Sequence, residues 1–409
     1  MGAEKRARSL AVLVGALGYF VDIYDIVLFA VLRRPSLCAL GVPESRVLDV
    51  GVGLFNWQMG GLLVGGVVFG MLGDRKGRLS VLMASILTYS VANLLNAAVT
   101  SLWQYALLRF LAGFGLAGEL GAAITLVAES LPAESRGYGT LLVAGLGLLG
   151  ASVAGFVGSM TSWRVAYLIG GVLGLLLLGL RVRLLESGLY RKMERSTARL
   201  GDWRLILFSP RRLATYLECI AIGLPIWFCV GVLITFGPEI AQSLSIGGIT
   251  AGKLIAYHYI GAALGDLSCG LVSQWTRSRR LAVLIYLLAS GGLLFPYLFG
   301  PYFFGNGFST SGFYALSFWL GVATGYWAIF VTMAAELFGT NLRATVTTSV
   351  PNFVRGAVMP ITLLFKWLIP ALSIQGAAMM VGCLCLALAF FSLGKLRESF
   401  AADLDFVET

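Results

Sequence analysis

The sequence predicts an all-α membrane protein, with twelve transmembrane helices built as two pseudo-symmetric six-helix bundles. Three observations carry that prediction. The 409 residues are 58% hydrophobic and only 12% charged, about half the charged fraction of an ordinary soluble chain. Apolar runs of about 20 residues, the length that crosses a bilayer as a helix, recur from end to end. Two stretches also repeat. "AESLPAESRGYGT" at 128–140 superposes on "AELFGTNLRATVT" at 335–347 with an offset of 207, carrying Glu129 to Glu336 and Arg136 to Arg343. "RLSVL" at 78–82 superposes on "RLAVL" at 280–284 with an offset of 202.

Taken in order, the first run (9–32) contains "GYFVDIYDIVLFAVL", with Asp22 and Asp25 in its apolar middle. Gly15, Gly18, Asp22, Asp25 and Phe29 follow one another at spacings of 3, 4, 3 and 4, which is one helix face. The second and third runs (48–72, 79–100) flank a loop in which Gly73 and Gly77 suit a tight turn. The fourth (103–128) carries Arg109 and, ten residues deeper, Glu119 among glycines and alanines. The fifth and sixth (138–160, 163–181) complete the first set. The second set comprises 213–236, 250–275, 281–299, 311–335, 344–366 and 371–395. It holds Glu218 and Trp227 on its first span and His258 and Asp266 on the next, His258 sharing a stripe with Gly261 and Gly265. Tyr326 and Trp327 fall on the tenth span and Arg355 on the eleventh. The predicted organisation is a bundle over 1–181, a cytoplasmic linker over 182–212, a bundle over 213–395 and a cytoplasmic tail over 396–409.

A net charge of +10 raises the question of nucleic acid, but the distribution answers it. With a cytoplasmic N-terminus, the inner segments hold 22 of the 30 Lys and Arg, nine of them across 181–212. That bias is the positive-inside rule, so both termini are expected in the cytoplasm, the chain is expected to be multi-pass in the cytoplasmic membrane, and no nucleic-acid partner is needed. "MGAEKRARSL" runs directly into the first span, so no cleavable signal is expected. Cys38, Cys219, Cys229, Cys269, Cys383 and Cys385 lie mostly within spans with no CxxC pair, which fits buried packing residues and no metal or disulfide framework.

Several motifs resemble one superfamily. "GMLGDRKGRLSVL" resembles the signature loop of major facilitator transporters, Gly-x-x-x-Asp-Arg-x-Gly-Arg, with Gly70, Asp74, Arg75, Gly77 and Arg78 at marked positions. "RFLAGFG", 109–115, resembles the superfamily's helix 4 motif. "ESLPAESRG" and "AELFGTNLRA" resemble the paired motifs after helices 4 and 10. The resemblance spans nearly the whole chain and implies alternating access to a central cavity. It also implies a cytoplasmic gate of Asp74, Arg75, Arg78, Glu129 and Arg136, echoed by Glu336 and Arg343. The second loop, "SQWTRSRR", has Gln274 and Trp275 where an acid is expected, so a weaker latch is predicted there. "GYFVDIYDIVLFAV" resembles the Asp-x-Tyr-Asp first helix of phosphate:proton symporters. "AGELGAAI" around Glu119 and "ELFGTNLRA" are more similar to metabolite:proton symporters, which handle carboxylates and zwitterions. Helix 7 lacks the paired glutamines of sugar porters, and helix 5 lacks the Gly-Pro pair of drug antiporters.

A charge inside the bilayer is costly and must face protein or water, so the embedded charges point to the chemistry. Asp22, Asp25 and Glu119 all fall near mid-depth. Two acids close together in low dielectric cannot both ionise cheaply, so one is expected to hold a proton near neutrality, with Arg109 able to release it. Fixed ion pairs between Arg109 and Asp22, Asp25 or Glu119 are the structural alternative. Arg355 needs a partner, either an anionic solute or Asp266. His258, the only histidine, either titrates or packs. The sequence thus predicts proton-coupled symport of a small polar or anionic metabolite. Inorganic phosphate symport, proton-coupled export and a non-transporting solute sensor are the alternatives. Nothing forms a nucleophile–base pair, metal cluster or phosphate loop, so no enzyme is predicted, and no cofactor or metal beyond the coupling proton. The expected partners are solute, protons and lipid, with the chain a monomer.

Overall fold

The computed structural model describes residues 2–76, 78–119, 133–186, 203–304 and 309–400, and all regular structure among them is helical. The first bundle comprises α1 (Gly2–Ala39), α2 (Val47–Lys76), α3 (Arg78–Asn96), α4 (Leu102–Leu116), α5 (Ala133–Met160) and α6 (Trp163–Glu186). The second comprises α7 (Pro210–Phe228), α8 (Ala251–Thr276), α9 (Arg279–Phe304), α10 (Thr310–Thr324), α11 (Trp327–Glu336), α12 (Thr340–Gly356) and α13 (Val358–Lys395). A helix stands at each of the twelve predicted runs, the fourth described only as far as Glu119.

Three helices depart from simple spans. α7 continues into a π-helical turn, Cys229–Ile234, an irregularity that tends to mark functional sites. α13 is two arms meeting at Ser373, whose φ of 64° breaks the helix; these arms are the second part of the eleventh run and the whole of the twelfth. The tenth run, predicted as continuous, is divided at Gly325 and Tyr326 into α10 and α11.

The packing pattern of the first bundle recurs in the second. α1 packs on α5, α2 on α4 and α3 on α6, while α7 packs on α13, α8 on α10 and α9 on α13. Glycines make the α2–α4 crossing possible: a Cβ on Gly61 or Gly113 would strike the backbone carbonyl of Phe110 or Gln58, so only a hydrogen lets the helices approach this closely. α4 is started by a capping box in which Ser101 and Gln104 satisfy each other's backbone N–H. The bundles meet along α5 with α8 and along α2 with α12 and α13. One face of the molecule carries the basic segments around 73–76, 277–280 and 395–397 and is called here the basic face; the opposite face carries the loops at 40–46, 97–101 and 161–162.

Candidate functional site

Asp22, Asp25, Arg109, Glu119, His258, Asp266 and Arg355 are all buried, and so is Arg181. Arg355 on α12 donates from Nη2 to Asp22 Oδ2 on α1 at 3.2 Å, with both side chains fully buried. The partner of Arg355 is therefore Asp22 and not the Asp266 that the sequence offered. This pair bridges the two bundles. The guanidinium also lies 5.7 Å from the ring centre of Trp227 and 5.8 Å from that of Trp327, where two aromatic faces favour a cation. Among the described residues its Nε and Nη1 have no hydrogen-bond partner, nor does Asp22 Oδ1.

Glu119 belongs to a second pair, held by Arg181 on α6 through both guanidinium nitrogens, with Nη1 to Oε2 at 3.1 Å. The sequence reading counted Arg181 with the cytoplasmic basic segment, where it ends a long apolar run; the structure buries it within the bundle. A signal was present, because Gly170, Gly174 and Arg181 share one helix face. Gly18 is where the pair rests against α1, since a Cβ there would collide with Arg181 Nη2 and Glu119 Oε1. Arg109 takes none of the three acids as a hydrogen-bond partner. It donates to Asn93 Oδ1 at 2.9 Å and stacks 5.0 Å from the Tyr167 ring. Asp25 lies in the electrostatic range of Arg109 and beside Asn93, against the helix surface opened by Gly170. Asn93 was not foreseen, because a single amide inside an apolar run carries no periodic signal.

The divided tenth span explains Asp266. Gly325 sits so close to α8 that a Cβ would lie 2.5 Å from Gly265 Cα and 2.6 Å from the Ala262 carbonyl. The helix ends there and restarts at Trp327, exposing new N–H groups. Asp266 Oδ1 accepts from the Ala328 N–H at 3.1 Å, so a side chain from α8 caps α11 at its positive end. Its Oδ2 has no partner.

These elements enclose a cavity of ≈ 40 Å³ lined by Tyr19, Trp227, His258, Tyr259, Asp266, Trp327 and Arg355 among others. Trp227 and Trp327 meet edge to face across it, 6.4 Å between ring centres. Tyr326 turns away, its hydroxyl donating to the Ile222 carbonyl at 3.0 Å. His258 hydrogen-bonds the Ser317 backbone on α10, while its Nδ1 has no partner. Gly261 and Gly265, its stripe-mates, let α8 approach α10 at Phe318 and Val322. The volume suits a water molecule or two.

The cavity is sealed toward the opposite face. Ile26, Ala30, Phe55, Ile234 and Ile255 form an apolar plug around a void of only ≈ 10 Å³. Beyond it, buried Arg33 of the first bundle donates to Glu239 Oε1 at 2.6 Å and to the Thr235 carbonyl at 3.1 Å in the second. Lys366 pairs with Asp49, and Thr362 bonds Asn56 at 2.8 Å. At the basic face the side chains of Asp74, Arg75, Arg78, Arg136 and Arg343, and the whole of Glu129, lie outside the described residues. Glu336 is described. Arg279 reaches it at 3.2 Å and Ser399 at 2.7 Å. The acid that the second loop lacks comes from the tail: Glu398 accepts from the Ser278 hydroxyl and from the N–H groups of Arg279 (2.9 Å) and Arg280 (3.3 Å). Partial burial opposes the Glu398 charge, but these bonds and that from the Phe400 N–H outweigh it and hold the carboxyl below the ordinary glutamate range.

The profile of the Major Facilitator Superfamily matches residues 15–362. The 3-(3-hydroxy-phenyl)propionate transporter of Escherichia coli (strain K12) is 29% identical over 383 residues, covering 90% of this chain and 91% of the relative. The putative niacin/nicotinamide transporter NiaP of Bacillus subtilis (strain 168) is 26% identical over 294 residues, 70% of each chain. Among solved structures, the proton:xylose symporter XylE superposes with a TM-score of 0.70 at 15% identity, covering 98% of both chains.

Proposed function

The chain belongs to the Major Facilitator Superfamily, and from that premise we propose that it is a proton-coupled symporter of a small aromatic carboxylate. It is a membrane transporter of small metabolites and not an enzyme. The observation that best supports the finer reading is the Asp22–Arg355 pair, which joins the two bundles beside an aromatic cavity.

Three buried N–H donors at this site lack partners among the described residues: Arg355 Nε, Arg355 Nη1 and Trp327 Nε1. A carboxylate satisfies such a set, and the planar guanidinium fork matches its two oxygens. Flat walls from Tyr19, Trp227, Tyr259 and Trp327 suit a ring better than a tetrahedral phosphate. The two relatives described above are named for 3-(3-hydroxy-phenyl)propionate and for niacin/nicotinamide; the first solute and niacin are each a ring bearing a carboxylate.

Coupling follows from charge balance. An arriving carboxylate competes with Asp22 for Arg355. Once displaced, Asp22 is a buried anion without a counter-charge, and binding a proton is the cheap way to remove that charge. Each anion thus brings a proton. The neutral, loaded site has lost its fixed link between bundles, so they can rock and open the other face. A half-loaded site, with the anion bound but Asp22 still ionised, keeps an uncompensated buried charge and disfavours that movement.

The test uses purified protein in liposomes holding a pH dye, with a panel of phosphate, aliphatic and aromatic carboxylates, betaine and sugars. Lumenal acidification is expected with aromatic carboxylates. Arg355→Met should weaken their binding about a hundredfold, whereas Asp22→Asn should bind them at least as tightly but no longer accumulate them against a pH gradient. Gradient-driven accumulation by Asp22→Asn, or acidification only with phosphate or sugar, would overturn the proposal.

A further inference from the structure

The carboxylate site accounts for the donors around the cavity but leaves its acceptors unused. On α8, His258, Ala262 and Asp266 succeed one another at intervals of four residues and all line the cavity, so they form one strip of helix face. His258 and Asp266 are 1% and 2% exposed, and each presents an atom with no partner, Nδ1 of the imidazole and Oδ2 of the carboxyl. Neither atom is spare because of a loose side chain. The imidazole is anchored by its bond to the Ser317 backbone, and the carboxyl by the Ala328 N–H at the start of α11. A neutral imidazole whose other nitrogen donates has only a lone pair to offer. Ala262, between them, keeps the middle of the strip low.

Buried polar atoms without partners are rare, and two anchored acceptors on one wall of a cavity whose other walls hold Arg355 and two tryptophans form a directed set. We propose that the α8 strip of His258 and Asp266 is a second subsite that reads a hydrogen-bond donor, a ring hydroxyl or N–H, carried by the solute away from its carboxylate. The inference rests on the carboxylate reading given above. It makes the transporter selective for hydroxylated or amino-substituted ring acids over bare ones. A site built to accept from a hydroxyl rejects the analogue lacking it, because its own buried acceptors then stay unpaired. It also disfavours a ring nitrogen that presents a lone pair, since acceptor would face acceptor.

The experiment compares binding to the purified wild-type protein, by calorimetry in detergent, of 3-(3-hydroxyphenyl)propionate against 3-phenylpropionate, and of 3-hydroxybenzoate against nicotinate. The hydroxylated member of each pair should bind about tenfold more tightly. His258→Phe and Asp266→Asn should each reduce that ratio to about threefold or less. Equal wild-type affinities within each pair would overturn the subsite and leave the carboxylate reading standing, and this measurement needs no variant to fold. Absence of binding by every ring acid would remove both readings. A wild-type preference that survives in both folded variants would also overturn it, because the selectivity would then arise on another wall.

Discussion

Two buried ion pairs of the same chemistry lie close together near the centre of this molecule. Glu119–Arg181 joins α4's continuation to α6 within one bundle, whereas Asp22–Arg355 joins α1 to α12 across two. Both are fully or almost fully buried, so both have given up hydration. The difference lies in what moves. The first pair travels with its bundle and can persist through a transport cycle, but the second spans the surface along which the bundles part. Position relative to that surface, more than burial, separates a pair internal to one bundle from a pair that a parting of the bundles must break.

The strongest way to break the comparison is to remove one partner of the internal pair. Arg181→Met should leave Glu119 buried and unpaired, at a cost of about 3–5 kcal/mol, seen as a large fall in thermal stability in detergent. The double variant Glu119→Gln with Arg181→Met should recover most of that stability and retain pH-driven uptake. Asp22→Asn with Arg355→Met should likewise be stable, yet transport nothing. If the Glu119/Arg181 double variant is stable but uncoupled, Glu119 is part of the proton path and the two pairs do not differ as argued.

A smaller effect is expected at the opposite face, where Arg33–Glu239 is another cross-bundle pair, beside a void of only ≈ 10 Å³, too small to admit a competing anion. Glu239→Gln should favour separation of the bundles there without altering solute selectivity. Spin labels on exposed residues 46 and 247 should report a longer-distance population grown about tenfold, as a loss of about 1.4 kcal/mol would produce. An unchanged distance distribution would mean that the apolar plug alone holds that face closed.

The smallest effect concerns Glu398, a charge in water. Its carboxyl is held below the ordinary range, so its contribution is fully present above the ordinary glutamate value and fades as pH falls through the lowered one. Glu398→Gln should speed amide exchange of Arg279 and Arg280 a few-fold at neutral pH, with the difference from wild type vanishing in acid. No difference at neutral pH would mean that Ser278 and the tail backbone dock without the charge.

The sequence alone was sufficient for the class of the protein, its run of helices and its inventory of dangerous charges. Hydropathy reports each span independently, and an acid or a guanidinium among apolar residues is conspicuous wherever it packs. What it could not decide was partnership. Arg355 meets Asp22 across 333 positions, and Glu119 meets an Arg181 that reads as the start of a basic loop. Periodicity tells which face of a helix a residue occupies but not which helix turns toward that face. Asp266 shows the limit most clearly. Its anchoring depends on a break in another span at Gly325, and that break exists because two glycine-bearing backbones press together too closely for a Cβ. Tertiary packing alone sets such a contact, and with it the choice between a fixed pair, a helix cap and an unpaired group beside a cavity.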